Sequence, residues 1–530
     1  MGVYRALEEL GIMEQLDGIS SVSGGTWASS VYVFGKEFEG QTIDTATMLG
    51  KSCRPQDLSM SELNKDAPPL ARGITTADSN KLFWESASKM RDNKVWAHVI
   101  AEIILKPFGL DSFDKHLAVD EDEVTRIVAD NPEMKSVQFL TPRSDRPKLF
   151  VMNGALLAPS DYGTGRDAVV SFQMSPDYTG SPFYPRNHCT RFAPDMTTYS
   201  PAPLCCIHPC WRSAIKLTVG GGMVETFAFG GDAPTPAAQQ GGKVAVPKPA
   251  DPFSLADAVG ISSYAPAGAL ANRVITAWYL NIRKKYWPIT SEALPTPQEA
   301  REFSLGDGGS IDNSGLLPLL QRRAKKIIWI ASSYQPLSST YDFENATIES
   351  FDPDTAGVVE QLSSCFGYGT DNEDTGFFYE NNQVFKKSLL LPICQKLAAL
   401  KAAGKPAVIK ETLDVLPNSY WGISGGYQAS IVLIYLEEVK DFQDQLPTET
   451  QQELAKGESG ALANFPIYKT TGNNKDDILG LTRCQVNLLA AQGEYAVKQN
   501  RRLFQELMSH RDLPLPTILG RKPSGLSKTK

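Results

Sequence analysis

The stretch LDGISSVSGGTWASSVYVF (residues 16–34) determines how this 530-residue chain is interpreted. Residues 16–22 predict a short buried β-strand, and residues 26–34 carry apolar side chains at helical spacing. Ser23 lies between the two and is followed by two glycines. A serine at such a strand-to-helix turn is typical of a nucleophile elbow, because small neighbours allow the tight turn. Ser23 is therefore the candidate nucleophile.

Gly24 directly follows the candidate nucleophile. Its backbone N–H would point at the oxyanion that forms when the serine attacks a carbonyl group, so Gly24 is the predicted oxyanion donor. A glycine-rich turn without chemistry is the alternative interpretation. A second match, GISGG (residues 422–426), fits the GxSxG pattern by letter. Its Ser424 precedes the β-rich run of residues 428–436 rather than a helix, so we interpret it as structural.

The candidate base is a carboxylate, since a serine needs a partner that takes its proton. None of the five histidines stands in a setting that marks a triad partner. Asp307 in SLGDGG (residues 304–309) follows a short strand and precedes a helix predicted over residues 313–323, and residues 324–332 predict another buried strand. Both candidates thus occupy turns of β-loop-α units, where sheet enzymes keep their sites. An ordinary turn or N-cap aspartate is the alternative.

The two turns together resemble the catalytic domain of the cytosolic phospholipase A2 and fungal phospholipase B family. SVSGGTW (residues 21–27) is similar to the family's nucleophile turn, and DGGSIDNSGLLPLLQRRAKKIIWI (residues 307–330) is similar to its aspartate turn. Asn313 falls where the family has an asparagine six residues after the catalytic aspartate. Further segments resemble the family in the family's order: FQMSPDYTG (172–180), VGGGMVETFAFG (219–230) and FSLADAVGISS (253–263).

This resemblance implies an α/β fold with a central, mostly parallel β-sheet flanked by helices, with a nucleophile elbow and cap insertions. It implies that Ser23 and Asp307 form a dyad that hydrolyses fatty acyl esters of phospholipids or lysophospholipids through an acyl-serine, a reaction that needs no metal or cofactor. Arg322 and Arg323 would meet a lipid phosphate; a favourable charge at their helix C-terminus is the alternative. The expected partner is a membrane or lipid-aggregate surface. A catalytically impaired lipid-binding or scaffold protein is the alternative function.

One part of the family pattern has no counterpart in this sequence. The family has a strand, a glycine-rich oxyanion loop and an arginine ahead of its first helix, whereas residues 3–10 already show helical spacing. We therefore expect an N-terminally truncated chain, with a natural short form of feeble activity as the alternative. In either case a neighbouring strand should lack backbone partners.

Composition excludes several classes of protein. Hydrophobic residues make up 42% and charged residues 21% of the chain, which is too apolar for a mostly disordered protein. Because 60 acidic residues outnumber 52 Lys and Arg, no basic field favours nucleic acid. No apolar run approaches the roughly 20 residues that cross a bilayer, and no signal peptide is visible. A cytoplasmic or peripheral membrane location is favoured, and the compartment stays open because the N-terminus is expected to be incomplete.

No metal site is predicted. Cysteines and histidines crowd residues 188–210, but their CCxHxC spacing packs the ligands too tightly for one tetrahedral zinc site, so free thiols or one disulfide are expected. The acidic segment DNEDTG (residues 371–376) is similar to a calcium loop. Its twelfth position is Asn382, where a bidentate glutamate is required, so we interpret the segment as a solvated turn.

We expect a single acyl-hydrolase domain over residues 1–512. A helical insertion at residues 36–150 and a loop-rich insertion at residues 180–215 are predicted to form a cap over the site. Residues 476–509 predict a long helical region. Residues 513–530 are polar and are expected to form a disordered tail.

Overall fold

A nine-residue strand, Leu149–Leu157, runs through the larger of two principal sheets with every residue buried. An unbroken apolar run of this kind is typical of a strand that is covered on both faces. The structure is a computed structural model. It describes residues 1–89, 93–157, 169–181, 222–233, 239–240, 243–244, 246–264, 282–287, 299–372, 376–468 and 480–509.

The strands range from two to nine residues, and the long ones are rich in β-branched and aromatic residues, which suit a pleated surface. In chain order they are β1 (Gly18–Val22), β2 (Glu37–Phe38), β3 (Gln41–Thr42), β4 (Lys115–Leu117), β5 (Gln138–Leu140), β6 (Leu149–Leu157), β7 (Val169–Met174), β8 (Tyr178–Ser181), β9 (Gly222–Glu225), β10 (Gln239–Gln240), β11 (Lys243–Val244), β12 (Ile282–Tyr286), β13 (Arg301–Asp307), β14 (Lys326–Ala331), β15 (Asp371–Asn372), β16 (Phe377–Phe378), β17 (Val408–Val415) and β18 (Tyr427–Tyr435).

The α-helices of the described residues are mostly short, and several begin with a side-chain cap or a proline in the first turn. They are α1 (Gly2–Glu9), α2 (Gly24–Phe34), α3 (Thr45–Leu49), α4 (Met60–Leu63), α5 (Pro69–Thr76), α6 (Ser79–Lys89), α7 (Val95–Ile100), α8 (Glu121–Asp130), α9 (Leu255–Ser262), α10 (Leu317–Gln321), α11 (Glu360–Ser363), α12 (Leu390–Ala402), α13 (Lys440–Gln443), α14 (Thr448–Ala455), α15 (Arg483–Gln499) and α16 (Arg501–Met508).

The larger sheet has the strand order β12-β13-β6-β7-β8-β9, and β1 also pairs with β6. The prediction of a mostly parallel central sheet is wrong for this sheet. Within the described residues its only parallel pair is β1 with β6, and the other pairs are antiparallel. The reason is local at β7 and β8, where Ser175–Asp177 form a tight connection that a parallel pair cannot use.

The smaller sheet has the strand order β14-β18-β17, in which β14 and β18 are parallel and β17 and β18 are antiparallel. The strand predicted at residues 324–332 is confirmed as β14, although only alternate residues of it are buried, and the β-rich run at residues 428–436 forms β18. One hydrophobic core joins both sheets, since it contains Phe150 of β6 and Val432 of β18. The two sheets therefore share one interior.

A cavity of about 1880 Å³ lies between the two sheets. All five residues of β1 line it, and so do residues 326–330 of β14. Among the described strands β1 pairs only with β6, and β14 pairs only with β18. The second edge of each strand therefore faces the cavity.

The predicted helical insertion at residues 36–150 contains helices α3 to α8 and the short strand pairs β2–β3 and β4–β5. Nearly all of the predicted cap at residues 180–215 lies outside the described residues, as do the Cys/His segment at 188–210 and the tail at 513–530. The N-terminal helix α1 is joined to α15 by a buried ion pair in which Arg5 Nη1 and Glu494 Oε2 lie 2.8 Å apart. In the described part of the chain, no helix has the length and apolar character of a membrane span.

Candidate active site

The two candidate catalytic residues end strands that share one edge of β6. In the parallel pair, Val22 at the end of β1 is registered with Asn153. In the antiparallel pair, Asp307 at the end of β13 is registered with Gly154. Because β1 and β13 run toward each other along β6, their carboxyl ends meet at neighbouring positions of that strand. The sheet topology therefore brings Ser23 and Asp307 together.

Ser23 and Asp307 are directly hydrogen-bonded. Ser23 Oγ donates to Asp307 Oδ2 at 2.8 Å, and the Gly309 backbone N–H donates to Asp307 Oδ1 at 2.8 Å. The carboxyl group is buried at 3% exposure, whereas Ser23 is only half-buried. One carboxyl oxygen thus fixes the aspartate in its own turn, and the other contacts the serine hydroxyl group.

The Ser23 hydroxyl group does not cap its helix. Ser23 is the N-cap residue of α2, a position where serine commonly accepts a hydrogen bond from a backbone N–H of the first turn. No such bond is formed, because the hydroxyl group is turned to Asp307. The interpretation of this serine as a purely structural turn residue therefore lacks its expected contact.

The backbone at Ser23 is strained, with φ of 52° and ψ of −134°. A non-glycine residue rarely adopts such a conformation, and it persists only where its surroundings hold it. The Ser23 N–H donates to the Ser262 carbonyl of α9 at 2.9 Å, and the Thr26 N–H donates to the Ser23 carbonyl at 2.9 Å. These bonds hold the serine in the sharp turn that a nucleophile elbow requires.

A chain of hydrogen-bonded hydroxyl groups connects this turn to the neighbouring elements. Thr26 Oγ1 lies 3.1 Å from Ser21 Oγ and 2.8 Å from Ser262 Oγ, and Ser262 Oγ donates to the Asn153 carbonyl at 2.7 Å. All four residues are buried. Sequence reasoning did not assign these roles, although Ser262 lies in one of the segments that resemble the family. The available signal for these roles was that Thr26 and Ser262 are polar residues near glycines within otherwise apolar elements.

Burial raises the pKa of Asp307 to about 7. The cause is desolvation of the carboxylate, and the hydrogen bonds from Gly309 and Ser23 oppose it by stabilising the charged form. A carboxyl group with this pKa exchanges its proton near neutral pH, which is the range in which a general base is most effective.

The glycines of the two turns have different roles. Gly308 in the aspartate turn allows close packing against β6, and Gly24 and Gly25 leave the start of α2 exposed. A Cβ atom on Gly308 would lie 2.6 Å from the Asn153 carbonyl oxygen, so the backbone of the Asp307 turn could not approach β6 with any larger residue. Gly24 and Gly25 open helix α2 and are exposed. Backbone N–H groups at a helix N-terminus favour negative charge. The residue after Ser23 therefore lies where an oxyanion donor is expected.

The two predicted substrate-binding arginines differ. Arg322 is 2% exposed, and its Nη1 donates to Gln173 Oε1 at 2.9 Å and to the Pro318 carbonyl at 3.0 Å. Its Nε and Nη2 are buried without a hydrogen-bond partner among the described residues, and burial lowers the pKa of the guanidinium to about 10. Arg323 is exposed, at a φ of 59°. Both arginines line the cavity together with Ser23 and Gly24.

Ser424 of the second GxSxG match lies in the loop that enters β18. It is exposed, and its Oγ accepts a hydrogen bond from Arg323 Nη1 at 2.6 Å. The same guanidinium lies over the Tyr427 ring at 4.8 Å. These contacts fit the structural interpretation of Ser424.

The described residues contain no group of three or more His, Cys, Asp or Glu side chains that could hold a metal ion. The segment similar to a calcium loop begins as strand β15, which pairs with β16 across residues 373–375, and those three lie outside the described residues. Cys53, Cys365, Cys394 and Cys484 are free thiols.

Comparison with known proteins gives a remote structural likeness. No protein-family model and no curated protein sequence matches this chain. Among solved structures, human GIVD cytosolic phospholipase A2 is similar with a TM-score of 0.41 and 11% sequence identity. The match covers 96% of this chain and 58% of that protein's chain.

Proposed function

We propose that the chain is a serine acyl hydrolase that cleaves carboxylic esters of lipids. The observation that carries this proposal is the 2.8 Å hydrogen bond from Ser23 Oγ to Asp307 Oδ2 at the start of α2. The strained backbone of Ser23 and the pKa of about 7 for Asp307 support it, because structural serines and turn aspartates need neither. The lipid class of the substrate depends on the sequence resemblance.

In the first half of the proposed reaction, the Asp307 carboxylate accepts the hydroxyl proton of Ser23 while Oγ bonds to the ester carbonyl carbon. The negative charge that forms on the carbonyl oxygen faces the Gly24 N–H and the N-terminus of α2. When the C–O bond of the ester breaks, the alcohol leaves with the proton from Asp307. The acyl group remains on Ser23.

In the second half, Asp307 takes a proton from a water molecule as that water attacks the acyl-serine carbonyl. The bond to Ser23 Oγ then breaks, Oγ recovers its proton from Asp307, and the fatty acid is released. The same residue serves as base and acid in both halves, which a pKa near neutrality favours.

Arg322 and Arg323 remain the proposed contacts for an anionic headgroup. Both line the cavity that Ser23 lines, and Arg322 has two guanidinium nitrogens without a hydrogen-bond partner in the described residues. The exposed Arg323 is the one that a headgroup reaches without rearrangement of the core.

A fluorophosphonate probe tests the proposal, since it forms a bond only with an activated serine. We expect one labelled residue, Ser23, located by peptide mass spectrometry. Ser23→Ala should abolish labelling and ester hydrolysis, and Ser424→Ala should retain both. Labelling that survives in Ser23→Ala would place the nucleophile elsewhere. A folded chain without labelling would support the alternative, a lipid-binding protein without catalysis.

A further inference from the structure

The segment around Tyr379 contacts the turn that carries Asp307. The Tyr379 hydroxyl group donates to the Gly309 carbonyl, and Asn382 Nδ2 donates to the Ile311 carbonyl at 2.8 Å. Tyr379 is 5% exposed and Asn382 is 1% exposed, so neither bond competes with water. Two buried side chains therefore hold two carbonyl groups of the aspartate turn, those of Gly309 and Ile311.

Gly309 is held at both of its polar backbone groups. Its carbonyl accepts from Tyr379, and its N–H donates to Asp307 Oδ1 at 2.8 Å. Glycine has more backbone freedom than any other residue, so contacts from outside restrict the conformation of a Gly308-Gly309 turn. The orientation of the Asp307 carboxyl group thus depends on Gly309, and the hydrogen bond from Tyr379 restricts the backbone of Gly309.

Asn382 is itself fixed by the second GxSxG region. Trp421, directly before that motif, donates from Nε1 to Asn382 Oδ1 at 2.9 Å, and its carbonyl accepts from Gln321 Nε2 at 2.6 Å. Trp421 is 2% exposed. Trp421 thereby links Asn382 to Gln321 in a buried network that ends at the aspartate turn.

We infer that Tyr379 and Asn382 are positioning residues that orient the Asp307 carboxyl group toward Ser23 Oγ. The inference rests on the proposed function, and it adds residues that act through Gly309 and Ile311 rather than on the substrate. The protonation state of Tyr379 supports its role as a hydrogen-bond donor. Burial, together with Glu360, Asp307 and Asp312, raises the pKa of the phenol well above 10, so it stays protonated across the working pH range.

The test is Tyr379→Phe, which removes only the hydroxyl group. Release of Gly309 should weaken its N–H bond to the carboxylate, so the pKa of Asp307 should rise and the ascending limb of the pH–kcat/KM profile should move to higher pH. We expect kcat/KM near pH 7 to fall by about tenfold or more, because small misplacements of catalytic groups are costly. Asn382→Ser should produce a change in the same direction.

Tyr286→Phe is the matched control. Tyr286 is 2% exposed, and its hydroxyl group donates to the Gly222 carbonyl at 2.9 Å, so the control also removes a buried bond from tyrosine to a backbone carbonyl. Tyr286 is registered with Arg301, at the opposite end of β13 from Asp307. We expect its pH profile to match that of the unmodified chain.

A readout independent of turnover separates this inference from the proposed function. Isotope-edited infrared spectroscopy of the Asp307 carboxyl group, assigned with Asp307→Asn, follows its titration directly. A higher pKa in Tyr379→Phe supports the positioning role even if the chain hydrolyses no ester. An unchanged Asp307 titration in both folded variants overturns the inference even if the chain is an active hydrolase. If Tyr379→Phe does not fold, Asn382→Ser decides by the same criterion.

Discussion

Ser23 Oγ and Asp307 Oδ2 lie 2.8 Å apart although 284 residues separate them in the chain. Strand β6 accounts for this contact, because Asn153 pairs with the residue before Ser23 and Gly154 pairs with Asp307. The contact between Ser23 and Asp307 thus needs one parallel and one antiparallel neighbour on a single strand edge. Changes at these two positions of β6 should affect catalysis without touching either side chain.

Asp307→Asn should remove hydrolysis as completely as Ser23→Ala does. An amide cannot accept the hydroxyl proton, and residues that act as one unit show non-additive losses. Each single change should lower kcat/KM by about a thousandfold or more. The double variant should be no slower than either single variant in steady-state assays, and a further large loss would indicate a different base.

The same Asp307→Asn change should stabilise the fold at alkaline pH. The pKa of Asp307 is 3.8 without perturbation and about 7 in the folded chain, so the unfolded state ionises first as pH rises. The free energy of unfolding of the unmodified chain is unaffected by Asp307 below about pH 4. It falls between pH 4 and 7, by up to about 4 kcal/mol in total, and stays at that lower value above pH 7. Chemical denaturation at pH 5 and pH 8 should show the larger gain at pH 8. An equal gain at both would contradict the assigned pKa.

Activity should rise with pH through a midpoint near 7. In the proposed mechanism only the ionised form of Asp307 accepts the serine proton, and burial disfavours that form until neutral pH. The kcat/KM profile of a soluble ester substrate measures this midpoint for the free enzyme. A midpoint near the ordinary aspartate value would mean that another group controls the reaction.

Gly308→Ala should disturb both catalytic strands. The new Cβ atom would lie 2.6 Å from the Asn153 carbonyl oxygen, which is backbone and cannot swing aside. We expect a loss of about 1–3 kcal/mol in unfolding free energy together with reduced activity. Gly493→Ala in α15 is the matched control, since its nearest neighbour would be the Val3 side chain at 3.5 Å. That substitution should be neutral or slightly stabilising.

Hydrogen exchange should distinguish the two edges of β1 and β14. The carbonyls of Lys325 and Ala331 accept from the chain around β18, so Ile328 and Ile330 direct their N–H groups to the cavity. By the same alternation, the Asp17 carbonyl accepts from Leu149, so the Ser20 and Val22 N–H groups face the cavity. These four amides should exchange faster than those of Ile19, Ser21, Ile327 and Trp329. Equal protection would show that both edges are paired.

Local patterns predicted the two turns of the candidate site, which depend on neighbours in sequence. Ser23 directly follows β1, Asp307 ends β13, and each precedes a glycine, so both turns could be interpreted from a few residues. The helix after Asp307 is shorter than the predicted span of 313–323, since Gly315 and Arg323 take positive φ values on either side of α10. Those backbone conformations depend on tertiary contacts that the sequence does not display.

Longer-range features were beyond prediction for the same reason. Tyr379 contacts the aspartate turn from 70 residues away, and nothing in its local sequence distinguishes it from other buried tyrosines. The prediction that the strands of the central sheet are mostly parallel was also wrong. A strand that ends in a turn at the edge of β6 can run parallel or antiparallel to β6, and the local sequence of the turn is compatible with both. Among the described connections of this sheet, the one at Ser175–Asp177 carried a local sign of the hairpin.

Within the described residues β1 and β14 each have one unpaired edge, and this has a consequence for the behaviour of the protein in concentrated solution. Unpaired strand edges are templates on which chains aggregate, and lysine on an edge strand discourages this. β14 begins with Lys326, but Ile330 near its other end is 44% exposed. Any extended polypeptide that enters the cavity would cover the same backbone groups that promote aggregation. The protein should therefore aggregate less when an extended polypeptide occupies the cavity and more when the cavity is empty.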